Sequence, residues 1–487
     1  MNLFKYTNTN KRYYQLDYYY KKKYNHKVYK VSLNGGFTCP NKDGTKGTGG
    51  CIFCSKLGSG DFAGNPSLSL TNQFNEIKCI IDKKAKETKY IGYFQANTNT
   101  YDTLENLKSK YEEILKIDDV IGLAIGTRPD SITDEAINYL EKLNEKTDLT
   151  IELGLQTIHK KTSDLINRGY ELEEFENIVF KLSKRKIKIV VHIINGLPNE
   201  TEQMMIDTIK YLNKFPIFGI KIHMLSVLKN TDLENYYNET KFRLLTKEEY
   251  IQIVCNQLEE LRSNIVISRL TGDPSMNDLI EPKWTSDKIS VLNGIDKELH
   301  KRMTYQGFNR SILNFTKREV LLNSQKKMHA IDATCGNGYD MVFLTKVFKN
   351  TVYGFDIQKE AIQKTHQLLK KEQAKNYELI LDSHENIGKH LFQLKNKISV
   401  VVFNLGYLPG SDKKITTNYK KTIKAIDECY KLLCQKGIIL ITVYKGHDEG
   451  KLESKHLKSH IKKYEYEIFE NSSKLDAPYL IKIKKEF

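Results

Sequence analysis

Short runs of β-branched and other apolar residues recur along the first half of the chain, and helical patterns fill most intervals between them. The runs are KVYKVSL, YIGYFQ, IGLAIGT, TIELGLQ, IKIVVHIING and FGIKIHML. Segments such as SITDEAINYLEKLNE and LEEFENIVFKLSKRK carry apolar residues at helical spacing. After a first interval stretched by a cysteine-bearing loop, the repeat is roughly thirty residues, the length of a strand plus its crossover helix. Six such units predict an α/β fold, a partial (β/α)6 barrel whose chemistry gathers at the carboxyl ends of its strands. The cysteine loop follows the first strand, which places it at that mouth.

A second α/β series follows the polar helical segment SILNFTKREVLLNSQKK, Ser311 to Lys327. Its runs are HAIDATCGNGYD, TVYGFDIQ, ELILDSH, ISVVVFNLGYLPG and GIILITVYKGH, followed by YEYEIFEN and PYLIKIKK with only a short connection. This order predicts a Rossmann-like, doubly wound sheet ending in an antiparallel hairpin. The expected domains are therefore 1–310 and 311–487. A length of 487 residues agrees with two cores rather than one.

No apolar run approaches the roughly 18 residues of a membrane span. The start, MNLFKYTNTNKRYYQ, has no apolar signal core, so a cytoplasmic protein without a membrane partner is expected. The net charge of +16 is compatible with an RNA partner. It is discounted because 66 of the 76 basic residues are lysine, as solvated faces of a compositionally drifted chain would give. The stretch RYYQLDYYYKKKYNHKVYK reads either as a base-stacking surface or as an edge strand with its flanks. Eight cysteines in such a chain argue for metal or redox chemistry at some of them. Cys79, Cys255, Cys429 and Cys434 read as core residues, and Cys335 belongs to a different motif.

The remaining three lie together in CPNKDGTKGTGGCIFCS, with eleven residues between Cys39 and Cys51 and two between Cys51 and Cys54. Structural tetrahedral metal sites take four ligands. Three thiolates suit a [4Fe-4S] cluster with one iron left for the amino and carboxylate groups of S-adenosylmethionine. One electron passed to that sulfonium yields a 5′-deoxyadenosyl radical, cofactor chemistry that the protein orients. The other reading is zinc completed by a histidine such as His26.

At these residues the chain resembles the radical SAM superfamily, in its YhcC/YtqA branch related to the elongator catalytic subunit, over roughly residues 10 to 310. The long first spacing is that branch's own. The resemblance implies Cys39, Cys51 and Cys54 as cluster ligands and Phe53 beside the adenine. In YFQANTNTY, which stands where Gly-Gly-Glu is usual, it implies Gln95 and Thr98 near the methionyl amino group. Gln156 and Arg168 are implied at the cofactor's ribose and carboxylate, His192 at the ribose, and Glu152 at cofactor or substrate.

In IDATCGNG a strand enters a glycine turn, with Asp332 at the strand end and Gly336 and Gly338 permitting close backbone approach. Asp356 ends the next strand about twenty residues on, where a carboxylate accepts ribose hydroxyls. The combination reads as a nucleoside-cofactor site, to which Thr334, Asn337, Gln358 and Asp382 add further candidate contacts. NLGYLPG resembles the N-P-P-Y motif of amino-directed methyltransferases, with Leu-Gly in place of Pro-Pro. With YLPGSDK and VYKGHDEG, residues 310 to 487 look like the YtqB-type class I methyltransferases. Asn404 and Tyr407 are then expected to orient an amine, and His447 or Asp412 to take its proton, because an aliphatic amine titrates near about 10 and must react neutral.

One small molecule used as radical source and as methyl donor, in one site per domain, implies consecutive steps on one substrate. The resemblance names that substrate as the tRNA wobble uridine in the anticodon stem-loop. The barrel converts 5-carboxymethylaminomethyl-(2-thio)uridine to the 5-aminomethyl form, the second domain N-methylates it, and flavodoxin or ferredoxin supplies electrons. A peptide or small metabolite as substrate, and a non-enzymatic zinc-containing RNA-binding protein, remain as alternatives at this level. Neither composition nor spacing fixes the oligomeric state.

Overall fold

The computed structural model describes all residues except 1–3, 56–57, 59, 61, 86, 406–417, 447, 471–475 and 487. They form two compact units, Met1–Gly307 and Phe308–Phe487. No helix among the described residues is long and apolar enough to cross a membrane.

In the first unit β1 (Lys27–Leu33), β2 (Thr88–Phe94), β3 (Val120–Thr127), β4 (Asp148–Gln156), β5 (Lys188–Asn195) and β6 (Gly219–Met224) are the six expected strands. All neighbours pair in parallel, in chain order. A two-stranded ribbon joins β7 (Val227–Leu228) to the later β9 (Leu279–Glu281), and between them β8 (Val266–Arg269) adds a seventh parallel strand beside β6. Several crossover helices begin at threonine caps. Thr103, Thr133 and Thr201 each accept a backbone N–H of the first turn, and Thr246 forms a reciprocal capping box with Glu249.

Alternation along the strands sends Val31, Leu33, Ile125, Ile151, Val191 and Ile222 outward into the helix layer, all fully buried. Each such side chain contributes about 1.5–3 kcal/mol. The opposite parity faces the barrel interior and is polar in its upper half. The sheet does not close on itself. Its two edges, β1 and β8, are both contacted by the helix Leu16–Tyr24, and Gln15 makes a lone parallel bridge to Ile267 of β8. The aromatic stretch therefore resolves into a helix followed by an edge strand. Tyr20 is buried with Ile91, Tyr93 and Ala124, so this ring is packing and not an RNA-stacking surface. Asp148, buried at the start of β4, holds the helix through Lys23, 2.6 Å away, and through the Tyr24 hydroxyl.

The second unit has strands β10 (His329–Asp332), β11 (Val352–Asp356), β12 (Tyr377–Leu381), β13 (Ile398–Asn404), β14 (Leu433–Val443), β15 (Glu465–Glu470) and β16 (Tyr479–Lys484). Their order in the sheet is β12-β11-β10-β13-β14-β16-β15, parallel through β14 and antiparallel for the last two. The winding reverses between β10 and β13, and the crevice at the carboxyl ends of such a pair is where doubly wound sheets bind ligands. Among the other cysteines, Cys255, Cys335, Cys429 and Cys434 are buried. Cys79 is exposed on the helix Leu70–Asp82, against expectation, because that helix turns its outer face to solvent there.

Candidate active sites

The mouth of the barrel is a cavity of about 480 Å³ that Cys39, Cys51 and Cys54 line together. The loop that carries them is held by its own backbone. Cys39 O accepts N–H bonds from Lys42 and Asp43 at 2.8 and 3.1 Å, and the Cys54 N–H bonds Cys51 O at 2.9 Å, a tight turn whose two cysteines both line the cavity. Gly49 and Gly50 follow each other at φ 78° and 81°, a left-handed pair that side chains strain. The turn is tied outward by Ile52 N–H to Ile166 O, 3.1 Å, and by Leu233 N–H to Ile52 O, 2.8 Å. Asn41 braces it from below, donating to Asn167 O at 2.7 Å and lying 3.9 Å from Cys51 Sγ. Burial pushes the Cys51 thiol up to about 12, with Cys54 adding to the shift and the nearby Arg128 opposing it.

Among the described residues no three histidine, cysteine or acidic side chains gather tightly enough to ligate one ion. Three cysteines lining one cavity are the kind of donor that iron–sulfur clusters take. His26 precedes β1 whereas the cysteines follow it, so about 20 Å of strand separates them and it does not complete their site.

The other expected residues of this unit also reach the cavity. Phe53 is half-buried against the cluster around Ile166 and Leu197. Gln95 and Thr98 lie beyond the end of β2 and face inward, Thr98 almost fully buried. Gln156 sits at φ 66° on a bulge of β4, a strained non-glycine position of the kind that clusters at functional sites. Arg168 lines the cavity, but its guanidinium donates to the backbone carbonyls of Leu155, Thr157 and Tyr170 at 2.7–3.2 Å, so it braces the loop after β4. Arg128 went unrecognised in the sequence. It closes bidentately on Asp130 at 3.0 and 3.0 Å, donates to Arg168 O at 2.8 Å and lies over Tyr170. Deeper in, Glu152 bonds Lys30, His192 and Lys221. Lys30 and Lys221 were also missed, although a lysine inside an otherwise apolar parallel strand is itself a signal.

In the second unit, Asp332 ends β10 fully buried, and its Oδ1 accepts Thr334 N–H at 3.1 Å. Gly336 and Gly338 take φ 53° and 82°, and Gly338 starts the helix Tyr339–Val347. The Asp356 carboxylate accepts Gly336 N–H at 3.0 Å and Gln358 N–H at 2.9 Å, which ties the glycine turn to the end of β11. Asn337 is half-buried in that turn. Asn404 N–H donates to Thr334 Oγ1 at 2.7 Å across the switch point, and its side-chain amide donates to Asp340. Two buried acceptors here, Asp332 Oδ2 and Asn404 Oδ1, have no donor among the described residues. Burial, with Asp340 and Asp356 adding to it, holds Asp332 well above the usual carboxylate range. Burial also raises Asp340, opposed by Lys317, and raises Asp356. Three acidic side chains, Asp332, Asp340 and Asp356, thus gather at the glycine turn. Asp382 differs, since His390, Asn386 and Ser383 N–H occupy its carboxylate at 2.7–3.0 Å. Asp340 escaped sequence reasoning because its partner Asn404 lies 64 residues away. Tyr407, Asp412 and His447 lie outside the described residues.

Residues 43–212 match the Radical SAM superfamily and 217–301 the Radical_SAM C-terminal domain, while 352–475 match the family described as "Putative rRNA methylase". The Bacillus subtilis protein YtqA is 47% identical over 306 residues, 63% of this chain and 95% of its own. The Escherichia coli protein YhcC is 28% identical over 281 residues, 58% of this chain and 90% of its own. The chloroplastic tRNA (mnm(5)s(2)U34)-methyltransferase of Arabidopsis thaliana is 36% identical over 143 residues, 26% of this chain and 51% of that protein. Radical SAM enzymes use a [4Fe-4S] cluster and S-adenosylmethionine, and methyltransferases of this type use the same sulfonium as methyl donor. The chain therefore belongs to the radical SAM superfamily, in the branch of YtqA and YhcC, and is an enzyme that carries a methyltransferase domain behind its radical SAM domain.

Proposed function

We propose that the two units act in succession on the tRNA wobble uridine. The first removes the carboxymethyl group of 5-carboxymethylaminomethyl-(2-thio)uridine, and the second N-methylates the 5-aminomethyl product. The observation that carries the reading lies at the end of β13, where Asn404 Oδ1 is buried without a hydrogen-bond partner among the described residues and the Asn404 amide donates to the Asp340 carboxylate. An amine N–H supplies that donor, and Asp340 favours the cation that N-methylation creates. The choice of substrate is supported by the Arabidopsis relative's tRNA activity.

In the first unit Cys39, Cys51 and Cys54 hold the cluster, which supplies one-electron chemistry once bound. Phe53, Gln95, Thr98 and Gln156 line the place for the sulfonium cofactor, and Arg168 fixes the loop beneath it. In the second unit Asp356 takes the ribose, Asp332 and the glycine turn take the methionyl end, and Asn404 with Tyr407 orients the amine. His447 or Asp412 removes its proton. The anticodon stem-loop and a flavodoxin or ferredoxin are the partners this requires.

Nucleoside mass spectrometry of tRNA and rRNA from a deletion strain tests the reading. The expected result is loss of 5-methylaminomethyl nucleosides with retention of the carboxymethylaminomethyl form. Unchanged tRNA beside an altered rRNA nucleoside overturns it. A narrower prediction concerns the turn. A Cβ at Gly338 would meet the Thr365 Cα at 2.9 Å on a backbone of φ 82°. Gly338→Val is therefore expected to weaken calorimetric S-adenosylhomocysteine binding by about tenfold or more.

A further inference from the structure

Closed eight-stranded (β/α) barrels fill their interior with branched aliphatic side chains. Here the layer below the cysteines is charged. Lys30, Glu152, His192 and Lys221 all stand in mid-strand, on β1, β4, β5 and β6, and all line the cavity. The Lys30 ammonium lies 2.5 Å from Glu152 Oε1, while the Lys221 ammonium and His192 Nε2 share Oε2 at 2.5 and 2.9 Å. Lys221 also reaches the Tyr93 hydroxyl at 3.1 Å.

Charge on this floor does not balance. Burial, with Lys221 adding to it, pushes the His192 imidazole down to about 4, and burial holds His223 lower than its ordinary value, so both rings are neutral. Arg269 is paired with Asp273 at 3.2 Å. Two lysines then face one carboxylate, and burial pulls Lys221 down to about 7 despite Glu152, so its proton is only weakly held. A buried unpaired charge costs several kcal/mol unless something compensates it. Beside Lys221, two residues along the same strand face, His223 Nε2 is buried without a partner among the described residues and also lines the cavity.

We propose that this floor is a carboxylate-recognition subsite, in which Lys221 and His223 receive the carboxylate of the substrate's carboxymethylamino arm while Glu152 and the Tyr93 hydroxyl hold Lys221 in place. The assignment rests on the wobble-uridine reading above and adds what selects the first reaction's substrate. A carboxylate entering the floor restores neutrality and gives His223 its missing partner, whereas the decarboxymethylated product has nothing to offer there and leaves.

The test uses the full chain with its cluster reconstituted and two anticodon stem-loops, one carrying 5-carboxymethylaminomethyluridine and the other its methyl ester. For wild type, substrate-stimulated kcat/KM is expected to favour the acid by about 10- to 100-fold, the worth of a charge-assisted hydrogen bond. Lys221→Met is expected to bring the ratio close to one, Lys221→Arg to keep most of it, and His223→Ala to lower it partly. Calorimetry with the two free nucleosides is expected to show the same loss of discrimination. If wild type responds to neither stem-loop, the wobble-uridine reading falls and this subsite with it. If wild type turns over acid and ester equally, or Lys221→Met keeps the preference, the reading stands and the subsite is wrong. A uniform loss with both stem-loops at an unchanged ratio assigns Lys221 to the cofactor's own carboxylate and overturns the proposal.

Discussion

Cys51→Ala is expected to halt the first reaction, lowering 5-methylaminomethyl nucleosides in tRNA by about 100-fold or more while the carboxymethylaminomethyl precursor accumulates. The size follows from the ligand count. A cluster held by three cysteines has no spare protein ligand, and two thiolates do not retain it. The fold tolerates the change, because the loop around Cys51 is fixed by its neighbours: the Ile52 backbone with Ile166 and Leu233, and the Asn41 side-chain amide with Asn167 O. Removing the half-buried Cys51 sulfur leaves those bonds intact. Iron and sulfide content of anaerobically purified protein should fall with the nucleoside signal. The variant should still methylate a stem-loop that already carries 5-aminomethyluridine, at the wild-type rate. Wild-type levels of the methylated nucleoside in the variant strain would show that the cysteines serve another purpose.

The sequence made the strands of both units legible because parallel strands buried on both faces must be apolar and β-branched, and the six runs of the first half are just that. It made the glycine turn legible because only a few residue types tolerate φ 53° and 82°. What it concealed has two physical origins. β8 is four residues long and is separated from β6 by a long connection holding two helices, so it carries too little pattern to register. The charged floor is assembled across the barrel, with Glu152 taking its partners from residues 122, 40 and 69 positions away. Each partner alone looks like an isolated polar residue in an apolar strand. Arg168 illustrates a third case. Its position beside the site was visible, but its carbonyl partners at Leu155, Thr157 and Tyr170 follow only from the folded path of the loop.

Asp356→Ala is expected to produce the opposite intermediate, with 5-aminomethyl nucleosides accumulating and their methylated form falling by about 100-fold. Two effects combine. In the structure this carboxylate holds the glycine turn through Gly336 N–H and Gln358 N–H. A carboxylate has about four acceptor sites, which leaves room on the same oxygens for the ribose hydroxyls proposed above. Alanine removes both, each hydrogen bond to a charged group being worth about 1.5–3 kcal/mol. Asp356→Asn separates them: its single carbonyl oxygen still accepts from one backbone N–H, so thermal unfolding of the second unit should stay near wild type while cofactor affinity drops. Calorimetry with S-adenosylhomocysteine in a Cys51→Ala background isolates this site, since the barrel then holds no cluster to complete its own. A variant that binds normally there yet accumulates the free amine would move the defect from cofactor binding to the acceptor side at Asn404. One that accumulates the carboxymethylated precursor instead would mean that the division of labour between the two units is assigned the wrong way round.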